Sequence, residues 1–350
     1  MPHLSPQALE ALVFPAVREI TGAPATRLQT MPGGASLRRY HRVDVPGGAP
    51  ESLVVMETGD PQHSDEIVQG GPVAELPFIN VQRYLQAGGV AVPVLYRYDA
   101  ANGLLYHEDL GDVTFESRVV DGDAAVRRRY YQLAIDELVS MQRYAGAHAD
   151  PSCIAFGRGF DFTLLKWELD HFREYGIEAQ GIELTAAERE ALEVHFKRIA
   201  EELAAAPRGF VHRDYQSRNL MVQDGAAGPR LRVIDFQDAL LGTAAYDLVG
   251  LLRDSYIALD GALLDGLVEY HIERARVDAA GFTHLFRLQT VQRKLKDAGR
   301  FVFIERVKKL PGFMQHIPSS LGYVAAAISK LPELGDLQSI LARHFPAFRV

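Results

Sequence analysis

A chain of 350 residues, 47% of them hydrophobic and 23% charged, holds enough apolar material for a substantial core and is long enough for two lobes. Its 45 acidic against 37 basic side chains, a formal charge of -8, argue against a general nucleic-acid or anionic-membrane binder, because nothing neutralises phosphates over a broad surface. The single cysteine, Cys153, excludes an intrachain disulfide and a cysteine-rich zinc site, and reads as small buried filler. Met1-Pro2-His3-Leu4-Ser5 lacks a basic start followed by an apolar run, and no stretch reaches bilayer-spanning length. A cytoplasmic location is therefore expected, with no membrane and no nucleic-acid partner.

In chain order, Ser5-Pro6 opens an amphipathic helix through Ile20, with Leu9, Leu12, Val13 and Ala16 on one face and proline at its first position. Residues 31–40 contain the pair Gly33-Gly34, which permits close backbone approach to a ligand, followed by Ser36, Arg38 and Arg39, which suit phosphate oxygens. From these residues alone a plain hairpin turn reads equally well. Residues 38–45 and 53–57 have strand character and are separated by the breaker-rich Pro46-Gly47-Gly48-Ala49-Pro50. A helix is expected over 78–87, with Phe78, Val81, Tyr84 and Leu85 apolar and Gly88-Gly89 ending it; two further strands, 92–98 and 103–107, flank a turn at 99–102. From Asp121 onward the pattern is mostly helical, with one long helix over 124–144, and a capping box, Thr185 with Glu188, opens another that runs to about Ala205.

The most informative stretch is His212-Arg213-Asp214-Tyr215-Gln216-Ser217-Arg218-Asn219, followed by Val233-Ile234-Asp235-Phe236. Apolar residues 209–211, 220–222 and 231–234 read as short buried strands with the polar residues on turns between them. The hairpin through 223–229 then returns Asp235 beside Asn219. Moving a γ-phosphoryl group needs an acceptor oxygen held in line, a group to take its proton, and hard oxygen ligands for the Mg2+ that neutralises the triphosphate. The spacing predicts phosphoryl transfer, with Asp214 as base and Asn219 and Asp235 as metal ligands. Either segment alone is more often a turn or a strand end; their order among apolar strands is what points to a site.

This stretch resembles the catalytic loop of the aminoglycoside phosphotransferase and choline kinase family, a branch of the protein-kinase-like fold. The resemblance implies an α+β, two-lobed protein. Residues 1–106 would form a small N-lobe with an antiparallel sheet, 107–112 a hinge, and 113–350 a larger, mostly helical C-lobe with the catalytic loop and acceptor region. It implies ATP as co-substrate and Mg2+ as cofactor. Residues 107–112 resemble the hinge, where Glu108 and Leu110 would meet adenine through backbone groups, and Gly33, Gly34, Ser36, Arg38 and Arg39 would cover the triphosphate. Asp235-Phe236-Gln237 stands where protein kinases have Asp-Phe-Gly, and no Ala-Pro-Glu follows at the usual distance, so protein phosphorylation is the weaker reading. Residues 242–248 are similar to the segment opening the next helix in small-molecule kinases. There Asp247 would cap or brace the catalytic loop, and His212 would hold it by hydrogen bonding.

One departure stands out. Met56 falls near where kinases carry the lysine that pairs with the α- and β-phosphates, and no cation sits on its strand. Either Arg38, Arg39 or Arg42 supplies that charge, or the chain is a nucleotide-binding pseudokinase, a reading that the intact Asp214, Asn219 and Asp235 oppose.

For the acceptor, residues 213–221, 234–239, 246–256 and 288–296 are together similar to the bacterial anomeric N-acetylmuramate/N-acetylglucosamine kinase branch of the family, which acts in cell-wall recycling. That resemblance implies phosphorylation of a sugar C1 hydroxyl; another small-molecule acceptor, such as an aminoglycoside or choline, is the alternative. A cationic acceptor needs carboxylates or an aromatic cage. The run Arg287, Arg293, Lys294, Lys296, Arg300 and Arg306 is basic instead, opposed by Asp297 and Glu305. It suits an acceptor carrying a carboxylate, although a solvated helix face is the commoner explanation of such a run. Arg213, Arg218, Gln237 and Asp238 lie close enough in sequence to the base to contact the sugar, with Arg218 equally a brace of the loop. Trp167 and Tyr175 are candidates for an apolar platform, with Trp167 equally a core residue. The choice between the two sugars, ATP against GTP, and oligomeric state stay open in the sequence.

Overall fold

A computed structural model describes residues 4–32, 38–58, 75–226 and 228–349. Helix α1 (Pro6–Thr21) starts where the Ser5 hydroxyl accepts the Ala8 N–H at 3.3 Å, and ends at Gly22, whose φ of 78° a side chain would oppose. Strands β1 (Arg27–Thr30), β2 (Arg39–Asp44) and β3 (Ser52–Glu57) follow, then helix α2 (Pro77–Ala87) and strands β4 (Leu95–Asp99) and β5 (Leu104–Glu108). The strands make a five-stranded antiparallel sheet in the order β1-β2-β3-β5-β4. Strand alternation divides its two faces. Leu53, Val55, Val43, Leu104 and Tyr106 pack beneath Leu9, Val13 and Val17 of α1, whereas Met56 and Leu105 face α2 and join Phe78, Val81 and Leu85. The elements expected here all form; β1 is the addition. Its Arg27-Leu28-Gln29-Thr30 is a largely exposed edge with no apolar alternation to reveal it.

The rest of the chain is α3 (Phe115–Val120), α4 (Ala124–Ala147), α5 (Phe162–His171), a π-helical turn over Phe172–Ile177, α6 (Ala186–Ala205), β6 (Arg208–Val211), β7 (Leu220–Gly225), β8 (Gly228–Val233), β9 (Leu240–Thr243), α7 (Ala245–Leu252), α8 (Gly261–Ala275), α9 (Ala279–Arg306), α10 (Ile317–Ile328) and α11 (Gly335–His344). Strands β6 and β9 pair, as do β7 and β8, in two small antiparallel sheets. The α+β architecture expected from the sequence is the one adopted, with the sheet at the N-terminal end and helices dominating thereafter. Thr185 and Glu188 form the capping box of α6, the Glu188 carboxylate accepting the Thr185 N–H at 2.9 Å. Cys153 is buried.

The 28-residue α9 is the spine of the second half, packed on α5, the π-helical turn, α7 and α10. Gly299 makes that packing possible. A Cβ there would lie 2.7 Å from the Phe172 Cα and 2.9 Å from the His171 carbonyl oxygen, so the two helical segments approach backbone to backbone. Among the described residues no helix is long and apolar enough to cross a membrane.

Candidate active site

The chain leaves β6 at Val211 and crosses the loop 212–216 before a 3-10 turn, Ser217–Asn219, leads into β7. Helices α7, α4 and α9 and the loop after α7 fix this loop. Asp247, in the first turn of α7 and fully buried, accepts the His212 N–H at 2.7 Å on one carboxylate oxygen and the Arg213 N–H at 2.9 Å on the other. Asp254 accepts the Ser217 N–H at 2.9 Å, and the Tyr215 hydroxyl donates to the Ala134 carbonyl at 2.8 Å. From α9, Arg293 donates to the Arg213 carbonyl at 2.7 Å while lying 4.4 Å from the Tyr246 ring centre. Gly250 leaves room for this guanidinium, which would stand 3.0 Å from a Cβ at that position. These contacts hold Arg213 at φ 80°, a left-handed conformation that a non-glycine residue adopts only when its surroundings impose it.

His212 is fully buried, and its Nε2 donates to the Ile234 carbonyl at 3.0 Å. Burial pushes its pKa down to about 4, so the ring is neutral at pH 7 and joins the two turns of the site.

Asp235 follows β8 and is also left-handed, at φ 64°. The Ile234 N–H donates to the Asn219 carbonyl at 3.0 Å, and the Asn219 amide nitrogen donates to the Asp214 carbonyl at 2.8 Å and to Asp235 Oδ2 at 3.4 Å. Committing that nitrogen as a donor leaves Asn219 Oδ1 as the atom able to ligate a cation. Asp214, Asn219 and Asp235 are thus brought together. Burial, then the neighbouring charge of Asp235, pushes the Asp214 carboxyl up to about 6, against the opposing pull of Arg213, Lys296 and Arg293. A carboxylate so poised is the better proton acceptor.

The donor set fits Mg2+. Two oxygen ligands from the protein, with the remainder supplied by phosphates and water, is how that ion is commonly held. Among the described residues no cluster of three or more histidine, cysteine or acidic side chains offers an alternative metal site.

Nucleotide-side residues separate into three groups. Gly33, Gly34 and Ser36 lie outside the described residues. Arg38 Nη1 donates to Asp235 Oδ1 at 3.1 Å and its Nη2 lies 3.8 Å from Asp238 Oδ2. Arg39 is exposed on β2, and Arg42 is tied to the hinge-like segment, 2.8 Å from both Asp109 and Asp112. Met56 is 1% exposed, and the Glu57 carboxylate beside it is taken by His41 at 2.8 Å. The Glu108 side chain is occupied by Arg232 and by the Val94 N–H, its backbone N–H donates to the Val94 carbonyl at 2.9 Å, its carbonyl accepts from His107 Nδ1 at 3.1 Å, and Leu110 is buried beside it.

On the acceptor side the structure corrects one expectation. The middle of the basic run of α9 is not a solvated face: Arg293, Lys294 and Lys296 are 3%, 2% and 8% exposed, whereas Arg287 and Arg300 are half-buried and Arg306 is exposed. Lys294 donates to the Ser255 hydroxyl and to Asp297, both at 2.6 Å, and Lys296 lies 3.5 Å from the second oxygen of Asp297. A 28-residue helix enclosed by its neighbours buries more than one face, so its cations go inside with a carboxylate partner. Glu168 of α5, which the sequence analysis passed over, is fully buried; it accepts from Gln292 at 2.6 Å and lies 4.0 Å from Arg213. Its one signal in the sequence is a lone acid within an apolar helix face.

The remaining candidates divide. Gln237 donates to Asp235 at 2.9 Å and to Asp238 at 3.1 Å, so both belong to the turn that carries Asp235. Arg213 reaches toward Glu168 under the loop. Arg218 is a clamp: its guanidinium makes two bonds to Glu116, at 2.7 and 3.1 Å, and covers the Tyr256 ring at 3.5 Å. Trp167 and Tyr175 flank His171, at ring separations of 5.3 and 4.6 Å, with Phe303 of α9 against His171 and Tyr175. Trp167, 40% exposed, is not core, and its route to the catalytic loop runs through its neighbour Glu168.

Comparison with known proteins identifies the family and the fold. The model of the phosphotransferase enzyme family matches residues 27–280. The chain is 30% identical over 331 residues to an N-acetylmuramate/N-acetylglucosamine kinase of Pseudomonas aeruginosa, covering 91% of this chain and 89% of that one. A protein of the same description from Neisseria meningitidis is 31% identical over 318 residues, covering 88% and 87%. Among solved structures, a GDP complex of aminoglycoside 2'-phosphotransferase-IIIa superposes with a TM-score of 0.61 at 14% identity, covering 93% of this chain and 99% of that chain. A choline kinase from Streptococcus pneumoniae superposes at 0.59 and 14%, covering 91% and 99%. The chain belongs to the phosphotransferase enzyme family and is a kinase with a hydroxyl group as its acceptor.

Proposed function

We propose that this kinase transfers the γ-phosphoryl group of ATP to the anomeric C1 hydroxyl of N-acetylmuramate or N-acetylglucosamine, giving a sugar 1-phosphate that feeds peptidoglycan recycling in the cytoplasm. The similarity over nine tenths of the chain to kinases named for these sugars supports the substrate class. The observation that carries the reading is Asp214, half-buried next to Asn219 and Asp235 and within the field of two cations from α9, Arg293 and Lys296. A cationic aminoglycoside would need acids there, yet those nearby are bound internally, Glu168 to Gln292 and Asp297 to Lys294.

In this mechanism Asp214 holds the anomeric hydroxyl and takes its proton as the loose transition state collapses. An anomeric hydroxyl is more acidic than an ordinary alcohol, so a carboxylate is a sufficient base. Asn219 Oδ1 and Asp235 would hold Mg2+, which when bound neutralises charge on the β- and γ-phosphates. Asp247, His212 and Arg293 keep the loop in the geometry that aims Asp214. Gln237 and Asp238 extend the same turn toward the acceptor, and Trp167 with Tyr175 offers the sugar an apolar face.

The test is ADP release with ATP, Mg2+ and each sugar, with the product identified by phosphorus NMR. A phosphate coupled to the anomeric proton is expected. Phosphorylation at another hydroxyl, or turnover with a cationic acceptor alone, would reject the reading.

A further inference from the structure

Arg38 presents a problem of charge. Its guanidinium donates at 3.1 Å to Asp235 Oδ1, an oxygen of the carboxylate assigned to the metal, and its second nitrogen lies 3.8 Å from Asp238. Gln237 donates to the same Oδ1 at 2.9 Å, and Asn219 donates to Oδ2 at 3.4 Å. Asp235 therefore meets protein donors on both oxygens. A guanidinium and a divalent cation sharing one carboxylate repel each other at short range, and within a half-buried site water screens little of that repulsion. Interposed phosphates remove the conflict, because they offer both cations anionic oxygens.

Arg38 is also the cation placed to meet those phosphates. It sits directly before β2 and directly after the glycine-containing segment in sequence, with its side chain 20% exposed. The strand residue nearest the usual place of that cation is Met56, buried against α2; Arg42 is held by Asp109 and Asp112, and Arg39 is exposed.

We propose that Arg38 is an exchangeable cation: it pairs with Asp235 in the free enzyme, then passes to the phosphates of ATP, in place of a strand cation, and so releases Asp235 to the metal that arrives with the nucleotide. The inference rests on the reading of Asn219 and Asp235 as metal ligands. It makes metal binding conditional on nucleotide. An enzyme without ATP then holds the metal poorly, and the two ligands bind with positive coupling through one side chain.

The test needs no sugar and no turnover. Binding of Mn2+ to the full-length free enzyme, followed by electron paramagnetic resonance, and binding of Mg2+-ATP, followed by calorimetry, are compared in wild type, Arg38→Met and Arg38→Lys, with thermal melting to show that each is folded. In Arg38→Met, free Mn2+ should bind about tenfold or more tighter, since a charge-assisted contact is removed from its ligand, while Mg2+-ATP should bind about tenfold or more weaker. Arg38→Lys should fall between wild type and Arg38→Met in both measurements, because it keeps the charge and loses the fork geometry. Unchanged Mn2+ affinity in both variants would overturn the pairing role, and unchanged Mg2+-ATP affinity the phosphate role. Adding Asp235→Asn to Arg38→Met should abolish the Mn2+ gain. A gain that persists would instead reject Asp235 as a metal ligand, which separates failure of that reading from failure of the exchange.

Discussion

Asp247 and His212 are joined across the floor of the site by a 2.7 Å hydrogen bond from the His212 backbone N–H to a fully buried carboxylate, whose other oxygen takes the Arg213 N–H at 2.9 Å. One side chain thus satisfies two consecutive loop donors and sets the left-handed turn that precedes Asp214. Replacement by alanine leaves two buried N–H groups unpaired, each costing about 1–3 kcal/mol. Asp247→Ala should therefore lower denaturant stability by at least ~2 kcal/mol. Asp247→Asn, which keeps one acceptor, should lose less stability yet still lose turnover. Chemical denaturation beside steady-state kinetics checks both.

The acid limb of activity should report Asp214. Its carboxyl is pushed up to about 6, first by burial and then by Asp235. A base must be unprotonated to act, so kcat/KM at subsaturating ATP and sugar should fall with unit slope as pH drops below about 6. An activity flat down to the ordinary carboxylate range would show that the Asp214 carboxyl is not raised in the working enzyme.

Glu188 offers a pH test of the fold away from the site. Hydrogen bonds from the Thr185 backbone and hydroxyl, with Arg343 and His344 beside them, hold its carboxyl down at about 2. A folded-state value below the unfolded one gives stability that is present above the ordinary glutamate range and is lost as pH falls toward 2. Glu188→Gln should flatten that dependence and cost about 1 kcal/mol at neutral pH through the weakened cap. Melting curves between pH 3 and 7 decide it.

Gly299→Ala should be disproportionately harmful for a helix substitution that ordinarily stabilises. The new methyl would meet backbone atoms of His171 and Phe172 below 3.0 Å, and backbone cannot rotate away. A loss of about 1–3 kcal/mol is expected. The sugar KM should rise with it, since the same seam carries Trp167, His171 and Tyr175. A neutral or stabilising effect would show that α5 and α9 part easily.

The catalytic loop was legible because its chemistry is local. Asp214, Asn219 and Asp235 lie on turns between short apolar strands, and hairpin geometry is enough to bring them together. The strands and helices of the first lobe were equally plain from alternation, apart from the polar edge strand β1. What escaped was tertiary. Arg38 meets Asp235 across 197 residues, and Glu168 meets Gln292 across 124. The cations of α9 read as a solvated face because charge on a helix usually is solvated; only the packing of α5, α7 and α10 around it shows Lys294 and Lys296 sharing Asp297 indoors. Trp167 and Tyr175 drew notice as aromatics, yet no signal in the sequence placed the histidine between them, packed against both.

The account stands or falls on Asp214 as the group that receives the acceptor's proton, and the direct measurement is turnover and ATP affinity in Asp214→Asn. A loss of about 100-fold to 10,000-fold in kcat, with ATP binding retained, is the predicted result. Turnover near that of the wild type on either N-acetyl sugar would contradict the mechanism at its centre.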